Sequence, residues 1–315
     1  MDRRWVATEF GKGIEALEYQ TVEVPAPGPG EVTIRVRAVS INRFDTKIIN
    51  ILDDPAKLPY PLGAEAAGVV AAVGPDPDQN VSGDGQLVAV GDEVITFRGR
   101  GTYATRFNVA AKHVHHKPKS LPFPQAAGLL LVGTTAAEML YRVKPKRGET
   151  VLLHGASGAL GESLLQQAAK QCLDVIGTSS ERHFDNVRRY GGTPIEYGPG
   201  LAVRVREASR DGIDIALDAA GTDEATNVSL EFVLDRRRIL TVVRGDLAKK
   251  YGFQYIDGSG EGRVYRDGVS AELLAVAASG ELEVPIARTF DLSEAKVALE
   301  YIAAGNAGGK IVLTA

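Results

Sequence analysis

The sequence predicts an α/β protein of two domains, one β-rich and one built on a doubly wound parallel sheet. Its 315 residues exceed what a single hydrophobic core comfortably fills. Residues 1–120 carry glycine-punctuated, β-branched runs without a long amphipathic helix. Beyond the proline-flanked segment KPKSLPFP at 117–124, short apolar runs alternate with helix-length stretches, the pattern of a parallel sheet covered by helices on both faces.

The turn-rich PAPGPGE at 25–31 leads into a half-buried strand, in which Val32, Ile34, Val36 and Ala38 alternate with Thr33, Arg35 and Arg37. Further strands are expected within 68–74, 87–97 and 103–109, and the polar stretch PDPDQNVSGDG at 75–85 reads as a surface loop between strands. In the second part, apolar runs at 151–153, 174–178, 213–218 and 238–243 read as strands. The tail adds a helix at 271–278, a strand at 286–290, a helix at 293–304 with Ser293 as its N-cap, and a last strand at 310–314.

With 44% hydrophobic and 24% charged residues, the composition is that of a globular protein. A net charge of -4, from 36 basic and 40 acidic residues, offers no long-range attraction to nucleic acid or anionic membranes, so neither is an expected partner. There is no run of eighteen apolar residues and no apolar stretch behind Met1, so a cytoplasmic location is expected. Cys172 is the only cysteine, which excludes an intrachain disulfide and a cysteine-rich zinc site. At the end of a helical pattern it reads as a small buried side chain, while His113, His115 and His116 read as surface histidines.

The strand at 150–154 runs into GASGALG, and residues 159–171 then carry helical periodicity. Gly155, Gly158 and Gly161 thus stand on a strand–turn–helix, where backbone N–H groups and the helix dipole suit a dinucleotide pyrophosphate. The next strand ends in Thr178, Ser179, Ser180, Glu181 and Arg182. Small hydroxyls followed by a cation suit a ribose 2′-phosphate, whereas a free 2′-hydroxyl calls for an acid about 20 residues on, so NADPH is expected before NADH.

These motifs, with PGPGEV at 27–32, N-x-x-D from Asn42 to Asp45, GAEAAGVV at 63–70, GDEV at 91–94, LPFPQAAGL at 121–129, GTTA at 133–136 and GGKIVL at 308–313, run in order along the chain. In this the chain resembles the zinc-independent quinone oxidoreductase branch of the medium-chain dehydrogenase/reductase superfamily. The resemblance implies a GroES-like β-rich catalytic domain, residues 1–120 completed by 265–315, and a Rossmann domain over 121–264. It places Asn42, Thr135 and Val243 at the nicotinamide, and Gly155, Ala156, Ser157, Gly158, Ala159 and Leu160 along the pyrophosphate. Ser179, Ser180, Arg182 and Tyr197 fall around the adenosine 2′-phosphate, and Lys310 matches a basic residue closing over the cofactor. A homodimer is implied as well.

Zinc-dependent relatives carry a cysteine near the Asn42 motif and G-H-E where this chain reads Gly63, Ala64, Glu65, so no zinc is expected. Lys47 stands where the quinone reductases often carry a tyrosine, and either stabilises a developing oxyanion or points to water. The implied reaction is transfer of hydride from NADPH to a quinone or enone small molecule. An alkenal or enoyl double-bond reductase, and a non-catalytic NADPH-binding protein, stay open as alternatives.

Overall fold

A computed structural model describes residues 1–209, 211–305 and 307–315 of the protein. The chain forms two compact units, Met1–Leu131 with Ala271–Ala315, and Val132–Ser270. The first division falls after Leu131 rather than at the proline-flanked segment, because a short helix at Phe123–Ala127 packs on the β-sheet of the first unit.

The first unit opens with β1 (Asp2–Ala7), β2 (Leu17–Val22) and β3 (Glu31–Ile41), followed by α1 (Arg43–Ile51) and the short β4 (Tyr60–Pro61). Then come β5 (Ala66–Val73), β6 (Glu93–Thr96), β7 (Arg106–Ala110) and β8 (Val114–His116), and after them α2 (Phe123–Ala127). Strand β3 is the spine of this unit. It pairs antiparallel with β5, with β7 and with a strand from the far end of the chain, Lys310–Thr314. Its alternation is incomplete, since Thr33 is buried with its hydroxyl donating to Asn108 Oδ1 at 2.7 Å, and 38–41 are buried throughout. Val32, Ile34, Val36 and Ile41 join Ile311, Leu313 and Leu299 in one hydrophobic core, so both chain ends close the same unit.

The second unit holds most of α3 (Leu130–Val143), then β9 (Thr150–His154), α4 (Ala159–Lys170), β10 (Asp174–Ser179), α5 (Phe184–Arg189) and β11 (Thr193–Glu196). These are followed by α6 (Leu201–Ala208), β12 (Ile215–Asp218), α7 (Asp223–Phe232), β13 (Ile239–Thr241), α8 (Gly245–Tyr251) and β14 (Gln254–Tyr255). The strands are all parallel in the order β11-β10-β9-β12-β13-β14, with the first strand of the unit near the centre. This is the doubly wound dinucleotide-binding topology. Alternate residues feed two cores: Val151, Leu153, Leu217 and Leu240 on one face, Leu152, Ala216 and Ile239 on the other. The strand period of two thereby becomes a helix layer on each side.

The tail comprises α9 (Gly260–Ala278), β15 (Ile286–Asp291), α10 (Ala295–Ala303) and β16 (Lys310–Thr314). Helix α9 starts well before the expected 271, since Gly260, Gly262 and Gly268 hide its periodicity. At Gly262 a Cβ would collide with the carboxylate of Glu138 on α3, so glycine there permits close helix packing. Asp291 caps the 3₁₀ turn Leu292–Glu294 that leads into α10: its carboxylate accepts from Ser293 N at 2.8 Å, and its own N–H donates to the Glu294 carboxylate at 2.9 Å, so Ser293 is not the cap.

Three further expectations are corrected. Cys172 is exposed rather than buried, because it takes a left-handed φ of 56° just past α4 and turns its side chain outward. His115 is buried, 4% exposed, and His116 is half-buried between Asp84 and Asp92, with ring nitrogens 3.1 and 3.3 Å from their carboxylates. The same contacts hold the 75–85 excursion against β8, and Asn80 and Ser82 within it are buried. Among the described residues no group of three or more His, Cys, Asp or Glu is placed to hold a metal ion.

Candidate functional site

In the second unit the strand ends carry the site. Gly155, Ser180, Gly221 and Val243 all lie just past the C-terminal ends of β9, β10, β12 and β13, the edge at which doubly wound sheets bind ligands. The three glycines of the turn serve three different needs. Gly155 takes φ 79°, and its N–H donates to Thr178 Oγ1 at 3.1 Å. A Cβ at Gly161 would sit 2.5 Å from Ala156 O, so α4 approaches the turn only because that residue is glycine.

Gly158 is different. Its φ of -85° is open to any residue, and a Cβ there would meet only Gly155 O at an ordinary 3.5 Å. Neither backbone conformation nor packing within the protein requires a glycine at the N-cap of α4. The space beside it is open to close approach of a group from outside the chain, and N–H groups at the start of a helix suit an anion.

Two buried polar side chains shape the neighbouring loops. Asp218 Oδ1 accepts from the N–H groups of Ala220 and Gly221 at 2.9 and 2.8 Å. Thr241 Oγ1 donates to Asp218 Oδ2 at 2.8 Å and accepts from Val243 N at 3.1 Å. The sequence signal for this pair is the polar residue that closes each apolar strand, Asp218 after 215–217 and Thr241 after 239–240. His154 is buried beside them with its pKa pushed down to about 4 by burial, so it stays neutral, 3.1 Å from Ser229 Oγ.

The other expected residues of this unit are placed as follows. Thr135 is buried in α3; Ala156 is buried, and Ser157, Ala159 and Leu160 are half-buried around the turn. Ser179 is buried at the end of β10, Ser180 is half-buried, and Arg182 is exposed in the next turn. Tyr197 is exposed after β11, and Val243 is half-buried after β13.

In the first unit, three strand ends converge. The register Ile311↔Ile41, carried one step further, sets Lys310 against Asn42, and Glu65 directly precedes β5 beside Ser40. Lys310 Nζ donates to Asn42 Oδ1 at 2.6 Å and lies 3.5 Å from Glu65 Oε2; Glu65 Oε1 accepts from Leu131 N at 2.7 Å. Asp45 in α1 accepts from Asn42 N at 2.8 Å and from Tyr103 Oη at 2.9 Å. All five side chains are buried, Asn42 being the most open at 8%.

Burial pushes the Asp45 carboxyl up to about 6, against the pull of Asn42 N–H, the Tyr103 hydroxyl and the Lys310 charge. Burial likewise lowers the Lys310 ammonium, with Glu65 and Asp45 opposing, and raises the Tyr103 phenol well above its ordinary value. Lys47 lies apart from this cluster, exposed on the outer face of α1.

Comparison with known proteins extends over the whole chain. Residues 28–119 match the alcohol dehydrogenase GroES-like domain, and residues 190–313 match the zinc-binding dehydrogenase family. A quinone oxidoreductase of Pseudomonas aeruginosa is 31% identical over 96% of this chain and 96% of its own. A 2-haloacrylate reductase of a Burkholderia species is 30% identical, again covering 96% of both chains. Among solved structures, the Escherichia coli quinone oxidoreductase complexed with NADPH superposes over 100% of each chain with a TM-score of 0.85 at 26% identity.

Proposed function

Because the chain belongs to the quinone oxidoreductase branch of the medium-chain dehydrogenase/reductase superfamily, we propose that it reduces a quinone or related conjugated carbonyl with NADPH, without zinc. The observation that carries this reading is Gly158, a glycine required neither by conformation nor by packing, at the helix N-terminus of a doubly wound sheet. NADPH bound there would supply the reducing hydride, and the protein would set its orientation. The residues of the second unit fit that cofactor. The turn from Gly155 to Leu160 receives the pyrophosphate, Ser179, Ser180, Arg182 and Tyr197 receive the 2′-phosphate, and Thr135 and Val243 flank the nicotinamide.

In the first unit the side-chain oxygen of Asn42 is fixed by Lys310 and so presents one defined orientation. Neither cysteine nor histidine joins this cluster, and the Lys310 ammonium stands where a metal would need an anionic or neutral donor. That donor set does not fit catalytic zinc. Lys47, exposed on α1 and apart from the Asn42 cluster, fits the second alternative, a side chain that points to water. The reading carries with it a cytoplasmic homodimer, paired along β14, which is an edge strand of its sheet.

The relationship to a 2-haloacrylate reductase favours a second reading, reduction of an activated double bond. Competition decides between them. Specificity constants for NADPH oxidation by a naphthoquinone and by an enone of similar size are expected to favour the quinone at least about tenfold, a difference of about 1.4 kcal/mol in transition-state binding. A reversed ratio assigns the chain to double-bond reduction, and turnover with neither acceptor despite tight NADPH binding makes it a binding protein.

A further inference from the structure

Glu162 directly follows Gly161 in the first turn of α4, and is 1% exposed. Its Oε1 accepts a hydrogen bond from Asn186 Nδ2 on α5 at 3.2 Å. Helix α5 begins immediately after the turn Glu181–His183, the segment that carries Arg182. The bond therefore runs from the helix whose N-terminus faces the pyrophosphate to the helix that follows the 2′-phosphate segment.

We propose that Glu162 is a positioning residue for the cofactor, holding Asn186 and with it the Ser180–Arg182 turn in the arrangement that receives the adenosine phosphates. This rests on the proposed use of the glycine turn for NADPH. A glutamate is an unexpected choice within one turn of a dianionic pyrophosphate, where an ionised carboxylate would repel the ligand. Burial resolves the conflict by pushing the Glu162 carboxyl up to about 8, with the Asn186 bond and the Arg189 charge opposing. At neutral pH the side chain is thus a carboxylic acid, a hydrogen-bonding brace without charge.

The surrounding groups leave that state in place. Arg189 is exposed, with its guanidinium 5.4 Å from the Tyr190 ring, and Asp185 and Arg188 pair with each other at 2.8 Å on the outer side of α5. Strand β10, also packed on α4, carries only Asp174, which is exposed at its far end.

Cofactor affinity should therefore weaken as pH rises through the Glu162 transition. The test is the dissociation constant of NADPH, read from its fluorescence on binding between pH 6.5 and 9.5, for wild type, E162Q and E162L. For wild type the constant is expected to rise above pH 8, approaching about tenfold per pH unit. E162Q, which keeps the acceptor for Asn186 and cannot ionise, should match wild type at pH 7 and stay flat. E162L, which loses the acceptor, should bind NADPH about tenfold more weakly at pH 7.

Parallel pH profiles for wild type and E162Q overturn the proposal, as does wild-type NADPH affinity in a folded E162L. Failure of wild type to bind NADPH at any pH overturns the reading of the glycine turn itself, and the proposal with it.

Discussion

Lys310 and Glu65 face each other inside the first unit, Nζ to Oε2 at 3.5 Å, with 2% and 0% of their side chains exposed. They lie more than two hundred residues apart in sequence and meet because β16 and β5 flank β3 on opposite sides. The ammonium also donates to Asn42, so the pair fixes the most open polar side chain of the cluster.

Breaking this pair from one side should be expensive. E65Q leaves Lys310 as a buried cation without its counter-charge, and a loss of about 3–5 kcal/mol is expected. K310M/E65Q should recover a large part of it, because removing both charges removes the desolvation cost as well. Urea denaturation of the two variants checks this ordering.

Asp45 gives the cluster a pH dependence of definite sign. Its folded pKa of about 6 lies above the ordinary carboxylate value of 3.8, so the folded state holds the proton more tightly than the unfolded chain. Its contribution to stability is full below pH 4 and is lost as pH rises to about 6. D45N, whose amide oxygen still accepts from Tyr103 and Asn42, does not undergo this loss. Relative to wild type, D45N should gain about 3 kcal/mol between pH 4 and pH 7, measured by denaturation midpoints at a series of pH values.

The glycines of the turn should separate binding from folding. G158A should leave stability within about 1 kcal/mol, because the added methyl meets only Gly155 O at an ordinary distance, and on the proposed reading of the turn should weaken NADPH binding at least about tenfold. G161A should do the reverse, losing at least about 2 kcal/mol of stability because its Cβ meets backbone oxygens that cannot move aside. Thermal denaturation and cofactor titration on the same two variants make the comparison.

Choice of cofactor should depend on Arg182. R182A is expected to raise the KM for NADPH roughly tenfold to a hundredfold, the range of one lost charge-assisted hydrogen bond, while leaving that for NADH within about twofold. Equal effects on both cofactors would mean that Arg182 does not meet the 2′-phosphate.

The second unit was legible because its signals are local. Strand, glycine turn and helix follow one another from 150 to 170, and each β-branched run marked a strand close to its observed place. The first unit hid its central feature. Helix α1 buries an acid, Asp45, on the same face as Ile49, and the partner that makes this tolerable, Tyr103, is 58 residues away. The same holds for His115 and His116, whose burial depends on the 75–85 excursion folding back over them. Charged and polar residues read as surface until a distant strand supplies their partners.

The most direct test of the account is the initial rate of absorbance loss at 340 nm when chelator-treated protein meets a naphthoquinone with NADPH or with NADH. Enzyme-dependent oxidation of NADPH, faster than that of NADH and unaffected by removal of metal, is the predicted result. Turnover that disappears on chelation and returns with zinc, or oxidation of NADH in preference to NADPH, would contradict it.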